Sequence, residues 1–113
     1  MTAAITRYRS LPREADMERT IREAVEYRGG RVWSVRDSRG LAIEDMPDLI
    51  IVLPPVVALI ELKSQRRRIT PGQAQVTDLL ATCTDLVTGI VRPIPKPGEL
   101  SQDDLLAILT GGR

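Results

Sequence analysis

The chain has 113 residues, 42% hydrophobic and 27% charged, with a net charge of +1. That is one domain's worth of ordinary globular composition, which excludes a low-complexity segment and a second independent core. No apolar run reaches the ~18 residues that would cross a bilayer, and the opening MTAAITRYRSLPRE lacks the apolar stretch of a secretory signal, so a soluble cytoplasmic protein is expected.

Histidine is absent. That removes Ser-His-Asp triads, Cys-His pairs and His-liganded zinc. The one cysteine, Cys83, removes an internal disulfide or a CxxC zinc site. Hydrolytic chemistry would have to come from carboxylates, lysine, hydroxyls and a hard metal held through oxygen. Charge is uneven: residues 1–39 hold nine arginines against six acids, residues 40–70 balance, and residues 71–113 are net acidic. Of 16 basic residues, only Lys63 and Lys96 are lysines. Arginine suits bidentate phosphate recognition; codon bias from a GC-rich genome accounts for the same excess.

In chain order, residues 1–12 read as a basic arm carrying Arg7, Tyr8 and Arg9. Residues 13–28 read as a helix, because Met17, Ile21, Ala24 and Val25 form one apolar stripe that Gly29-Gly30 ends. RVWSVR alternates and reads as a strand, with Trp33 expected in the core. Residues 37–45 form a polar loop. DLIIVL (48–53) and VVALIEL (56–62) flank Pro54-Pro55. Both are too short and too β-branched for helices, so they predict central strands buried on both faces, joined by a turn at the prolines. SQRRRI (64–69) is a basic loop. Thr70-Pro71-Gly72-Gln73 opens a second helix with a Thr cap, Pro at the first helical position and Gln completing a capping box. Val76, Leu79, Leu80 and Cys83 follow at helical spacing, which predicts Cys83 as a small core residue. LVTGIVR (86–92) reads as a strand. Residues 93–113 are a stiff PIPKPG linker and a short helix capped by SQDD. The organisation is thus an arm (1–12), a core (13–92) and a linker with a C-terminal helix (93–113). The order helix, three strands, helix, strand, helix predicts an α/β fold with a mixed sheet flanked by helices.

A turn centred on Pro54-Pro55 makes facing residues sum to 109, so Asp48 faces Glu61. Alternation then puts Asp48, Ile50, Val52, Val57, Leu59, Glu61 and Lys63 on one face, with opposed Cβ atoms about 4.5–5.5 Å apart. Two carboxylates that close repel, and both lose hydration at a buried sheet edge. A divalent cation removes the conflict, and magnesium accepts two carboxylates plus phosphate oxygens and water. A strand-start aspartate and a surface Glu61–Lys63 ion pair account for the same residues without chemistry.

Pro47-Asp48 followed by Glu61-Leu62-Lys63 resembles the PD-(D/E)xK nuclease superfamily. EADMERTIREAVEYRGGRVW, MPDLIIV, ALIELKSQRRR and TPGQAQVTDLL together resemble its VRR-Nuc (virus-type replication–repair nuclease) domain, in the stand-alone form of phages and bacteria. The resemblance implies a restriction-endonuclease-like core and a Mg²⁺- or Mn²⁺-dependent DNA endonuclease. It also implies branched or structured DNA as the partner, as for Holliday-junction resolvases, a homodimer, and roles in repair or recombination. Residue by residue, it implies Glu14, Asp48, Glu61 and the carbonyl of Leu62 as metal ligands, Lys63 as the catalytic lysine, and Gln73 as a further site residue. Met46 stands where family members commonly have Gly before Pro-Asp. Glu44 and Asp45 add acids nearby.

Helical geometry puts Glu14 about 45° and Glu18 about 85° from the centre of the buried stripe, so Glu14 can face the sheet edge while Glu18 lies nearer solvent. First-turn acids also favour the helix dipole, and the capping box alone accounts for Gln73. Arg66, Arg67 and Arg68, with Arg7 and Arg9, are the expected grip on phosphates. The alternative function is a non-catalytic nucleic-acid-binding module on the same fold.

Overall fold

A computed structural model describes residues 11–35 and 45–111. Arg7, Tyr8, Arg9 and Glu44 lie outside the described residues, as does most of the 37–45 loop. The elements run α1 (Glu14–Tyr27), β1 (Arg31–Ser34), β2 (Leu49–Leu53), β3 (Val56–Leu62), α2 (Pro71–Leu80), β4 (Leu86–Val91) and α3 (Gln102–Thr110). The sheet order is β1-β2-β3-β4, with the first three strands antiparallel and β4 parallel to β3.

The hairpin register is the one the paired prolines dictate. Leu49 faces Ile60, Ile51 faces Ala58 and Leu53 faces Val56. These are the odd-numbered residues of β2 and the even-numbered residues of β3, and that face closes the core. Met17, Ile21 and Val25 of α1 and Leu105 and Leu109 of α3 pack with Val32, Leu49, Ile51, Leu53, Ala58, Ile60, Leu62 and Val91. Each fully buried aliphatic side chain of this set contributes about 1.5–3 kcal/mol from leaving water. Gly30 lets α1 pass close to the sheet, since a Cβ there would collide with the Val52 carbonyl and the Val25 side chain.

Three expectations are corrected. The hairpin is not buried on both faces: Ile50, Val52 and Leu59 are half-buried and Val57 is exposed. Among the described helices, α2 is the one on that side, where its Gln73 reaches Glu61. It packs against β4, with no residue of its own buried. Trp33 is on this open face beside Ile50 and is 45% exposed rather than a core residue; Arg31 lies over its ring at 5.5 Å. Cys83 is exposed, because α2 stops at Leu80 and the helical spacing does not extend to it. Ser101 caps α3 as its sequence implies, accepting from the Asp104 amide at 3.0 Å.

Candidate active site

Carried one step past the Leu49–Ile60 pair, the register brings Asp48, just before β2, across from Glu61, near the end of β3. The two carboxylates take different donors. Oδ2 of Asp48 accepts from the amide of Leu62 at 2.8 Å. Glu61 is 3% exposed, and its Oε1 accepts from Gln73 Nε2 at 2.9 Å. Lys63, 2% exposed, holds its ammonium 3.5 Å from the same oxygen. Glu14 reaches in from the first turn of α1. Its Oε2 accepts from the amide of Ser64 at 3.2 Å, and Arg67 pairs with it at 3.2 Å.

The expected residues therefore form two adjoining groups. Glu14, Asp48 and Leu62 line an open cavity of about 280 Å³ together with Ala15, Glu18 and Ser34. Glu61, Lys63 and Gln73 form a buried polar cluster with every buried side-chain polar atom partnered among the described residues. The two groups sense each other. Burial, reinforced by the charges of Asp48 and Glu14 and opposed by Lys63, pushes the Glu61 carboxyl from its ordinary 4.5 up to about 7.

Among the described residues, no three acids stand close enough to form a ready-made metal-ligand group. In kind, however, the donors fit a hard divalent ion. Three carboxylates, Glu14, Glu18 and Asp48, line one cavity, and a fourth, Glu61, is held against ionisation first by its burial and then by the charges of Asp48 and Glu14, a conflict that a cation relieves. Leu62 lines that cavity, and it is its amide that an acid touches.

Gln73 serves two purposes at once. Its Oε1 accepts from the Thr70 amide at 3.1 Å in the capping box, while its Nε2 donates to Glu61. The helix-capping account of this residue is thus realised, and the same side chain also reaches Glu61. Asp45 lies against Gly72 at the start of α2, where any Cβ would strike its carboxylate. Glu18 lies nearer solvent than Glu14, its side chain 33% exposed against 26%, as the helical angles imply, yet it also lines the cavity and pairs with Arg22 at 3.3 Å. Arg66, Arg67 and Arg68 are exposed on the loop leaving β3.

No family model matches the chain, and no curated protein does. Among solved structures, one titled "VRR_NUC domain" superposes with a TM-score of 0.54 at 23% identity, covering 68% of this chain and 82% of its own. The fold is that of a VRR_NUC domain. This agrees with the α/β core expected from the motifs.

On that VRR_NUC fold, the sequence reading missed Ser34 and Glu18 at the cavity and Arg92 against the backbone of the loop after β3. Arg92 is 1% exposed and ion-paired to Glu99 at 2.7 Å. No spacing pattern marks such a residue. The only signal is an arginine at a strand end followed by a proline-bounded loop ending in an acid.

Proposed function

We propose that the chain is a magnesium- or manganese-dependent nuclease that hydrolyses phosphodiester bonds in DNA, as an endonuclease on branched or otherwise structured substrate. The observation that carries this reading is the hairpin register, which sets Asp48 opposite Glu61 with Lys63 alongside. The VRR_NUC fold supports it.

Glu14, Asp48 and Glu61, with the carbonyl of Leu62, would hold the ion. When bound, it supplies Lewis-acid polarisation of a phosphate oxygen and a more acidic water. The chain's own residues do the rest. Lys63, steadied by Glu61, orients the attacking water and offsets the negative charge that grows on the phosphorus oxygens. Gln73 fixes the Glu61 carboxylate. Arg66, Arg67 and Arg68 grip neighbouring phosphates, with affinity that falls steeply with salt. Cutting both strands of a junction needs two sites, so a symmetric homodimer in the cytoplasm belongs to the proposal.

The test is incubation with a four-way junction, a flap and plain duplex plus manganese, beside Asp48→Asn. Cleavage by the native chain and none by the variant is expected. The absence of a three-acid ligand group among the described residues favours one rival, a non-catalytic nucleic-acid-binding module. That rival predicts salt-sensitive binding that Asp48→Asn leaves unchanged, and no cleavage with either metal.

A further inference from the structure

The loop after β3 is held from behind. Arg92 Nη1 donates to the carbonyls of Ser64 at 3.0 Å, Gln65 at 3.3 Å and Arg67 at 2.6 Å. Its Nε and Nη2 donate to the two oxygens of Glu99 at 2.7 and 3.1 Å. Gln65 adds a two-way pair with the backbone of Ile94, donating at 3.0 Å and accepting at 2.7 Å. Glu99 also accepts from the Lys96 amide at 3.0 Å, which closes the 96–99 turn around it. Burial pushes the Glu99 carboxyl up, but the Arg92 hydrogen bond and the Lys96 amide outweigh it, so it stays below the ordinary carboxyl value and charged.

Taking a guanidinium out of water is costly, and an apolar side chain would close this end of the sheet without that cost. What a guanidinium adds is a planar fork that gathers several carbonyls at once. With three loop carbonyls turned inward onto Arg92, Arg66, Arg67 and Arg68 are all exposed on the outside. The same loop supplies the Ser64 amide and the Arg67 side chain to Glu14.

We propose that Arg92 and Glu99 are positioning residues: they brace the 64–68 loop in the shape that presents Arg66 and Arg68 to nucleic-acid phosphates. This rests on the nucleic-acid reading above and gives the segment after β4 a role in it.

The experiment uses Glu99→Gln and the charge-conserving Arg92→Lys. It measures amide hydrogen exchange across residues 64–68, melting temperature, and binding of a fluorescent four-way junction in EDTA over a range of salt. EDTA separates binding from cleavage. Removing the Glu99 charge would by itself tighten binding to a polyanion, and Arg92→Lys would by itself change nothing. The brace predicts the opposite: faster exchange in the loop and ~10-fold weaker binding for both. It also predicts a salt dependence shallower by about one in slope for every phosphate the loop no longer reaches. In an Arg66→Ala/Arg68→Ala background, Glu99→Gln should weaken binding no further, whereas general destabilisation would add its own loss. Unchanged loop exchange, or binding as tight as native in both folded variants, overturns the brace while leaving the nuclease reading standing. Native-like binding by the Arg66→Ala/Arg68→Ala protein overturns the phosphate grip and the proposal with it.

Discussion

The two faces of the β2–β3 hairpin come from the same two strands and do different things. Leu49, Ile51, Leu53, Ala58, Ile60 and Leu62 close under α1 and α3. One residue away in each case, the opposite face runs from a half-open apolar surface at Val52 and Val57 to a buried polar cluster at Glu61. Period-two alternation thus separates the packed core from the candidate site along a single ribbon. The difference teaches that neighbouring substitutions should fail in different ways.

The largest expected effect is on the polar face. Asp48→Asn keeps an acceptor for the Leu62 amide and the shape of the side chain. It should leave the melting temperature within a few degrees of native while lowering cleavage by on the order of 10²-fold or more, the size of removing one electrostatic partner from a developing charge. Cleavage assayed beside a thermal melt checks both halves. Loss of both together would merge the two faces and break the comparison.

Next comes the core face. Ile51→Ala removes a fully buried side chain and should cost about 2–5 kcal/mol. Ile50→Ala, one position along on the open face, should cost less than half as much. Urea unfolding of the two variants measures the contrast directly. Equal losses would mean that Ile50 is covered as thoroughly as Ile51.

This contrast also shows how far the sequence could be read. The hairpin was legible because Pro54-Pro55 fixes the turn and therefore the pairing, and the observed Leu49–Ile60 pair obeys it. The helix starts were legible because Thr70 and Ser101 are local signals whose partners lie three residues on. Burial of the second face was not. Apolar runs report affinity for a core, but whether a helix covers them depends on where α2 packs. It packs over β4, leaving Trp33 exposed. Cys83 failed for a related reason: periodicity continues in the letters after the helix has stopped. Of the candidate site, Asp48, Glu61 and Lys63 followed from register. Arg92 did not, because besides Glu99 its partners are carbonyls of residues 64, 65 and 67, which carry no residue-type signature.

A smaller effect appears in the pH dependence of stability without metal. Glu61 titrates at about 7 in the fold against 4.5 ordinarily, so the folded protein binds the extra proton between those values. Its contribution is fully present below about pH 4.5 and is lost as pH rises through 7. Glu61→Gln should therefore gain on the native chain as pH rises, with the difference levelling off above 7. Melting temperatures of the pair in EDTA from pH 4.5 to 8.5 give that difference and cancel carboxylates such as Glu99, whose lowered value acts in the opposite sense. A flat difference would mean that Glu61 ionises normally and that the polar face carries no stored conflict.

The smallest effect isolates Gln73, which touches both helix and site. Gln73→Glu keeps an oxygen for the Thr70 amide, and an acid in the first turn suits the helix dipole, so the cap survives. What it removes is the Nε2 donor to Glu61, setting a second carboxylate there instead. At pH 5, where Glu61 holds its proton and can itself donate, stability should stay within about 0.5 kcal/mol of native. At pH 8 the two charges face each other, and a loss of about 1 kcal/mol is expected, the size of one net hydrogen bond. Gln73→Ala gives the reference, since it loses cap and donor alike at both pH values. Urea midpoints at the two pH values decide the matter. If Gln73→Glu loses equally at both, Gln73 matters to α2 alone, and the polar cluster ends at Lys63. If the loss grows with pH, the N-terminus of α2 is part of the site, and the helix packed over β4 sets the charge state of an acid on β3.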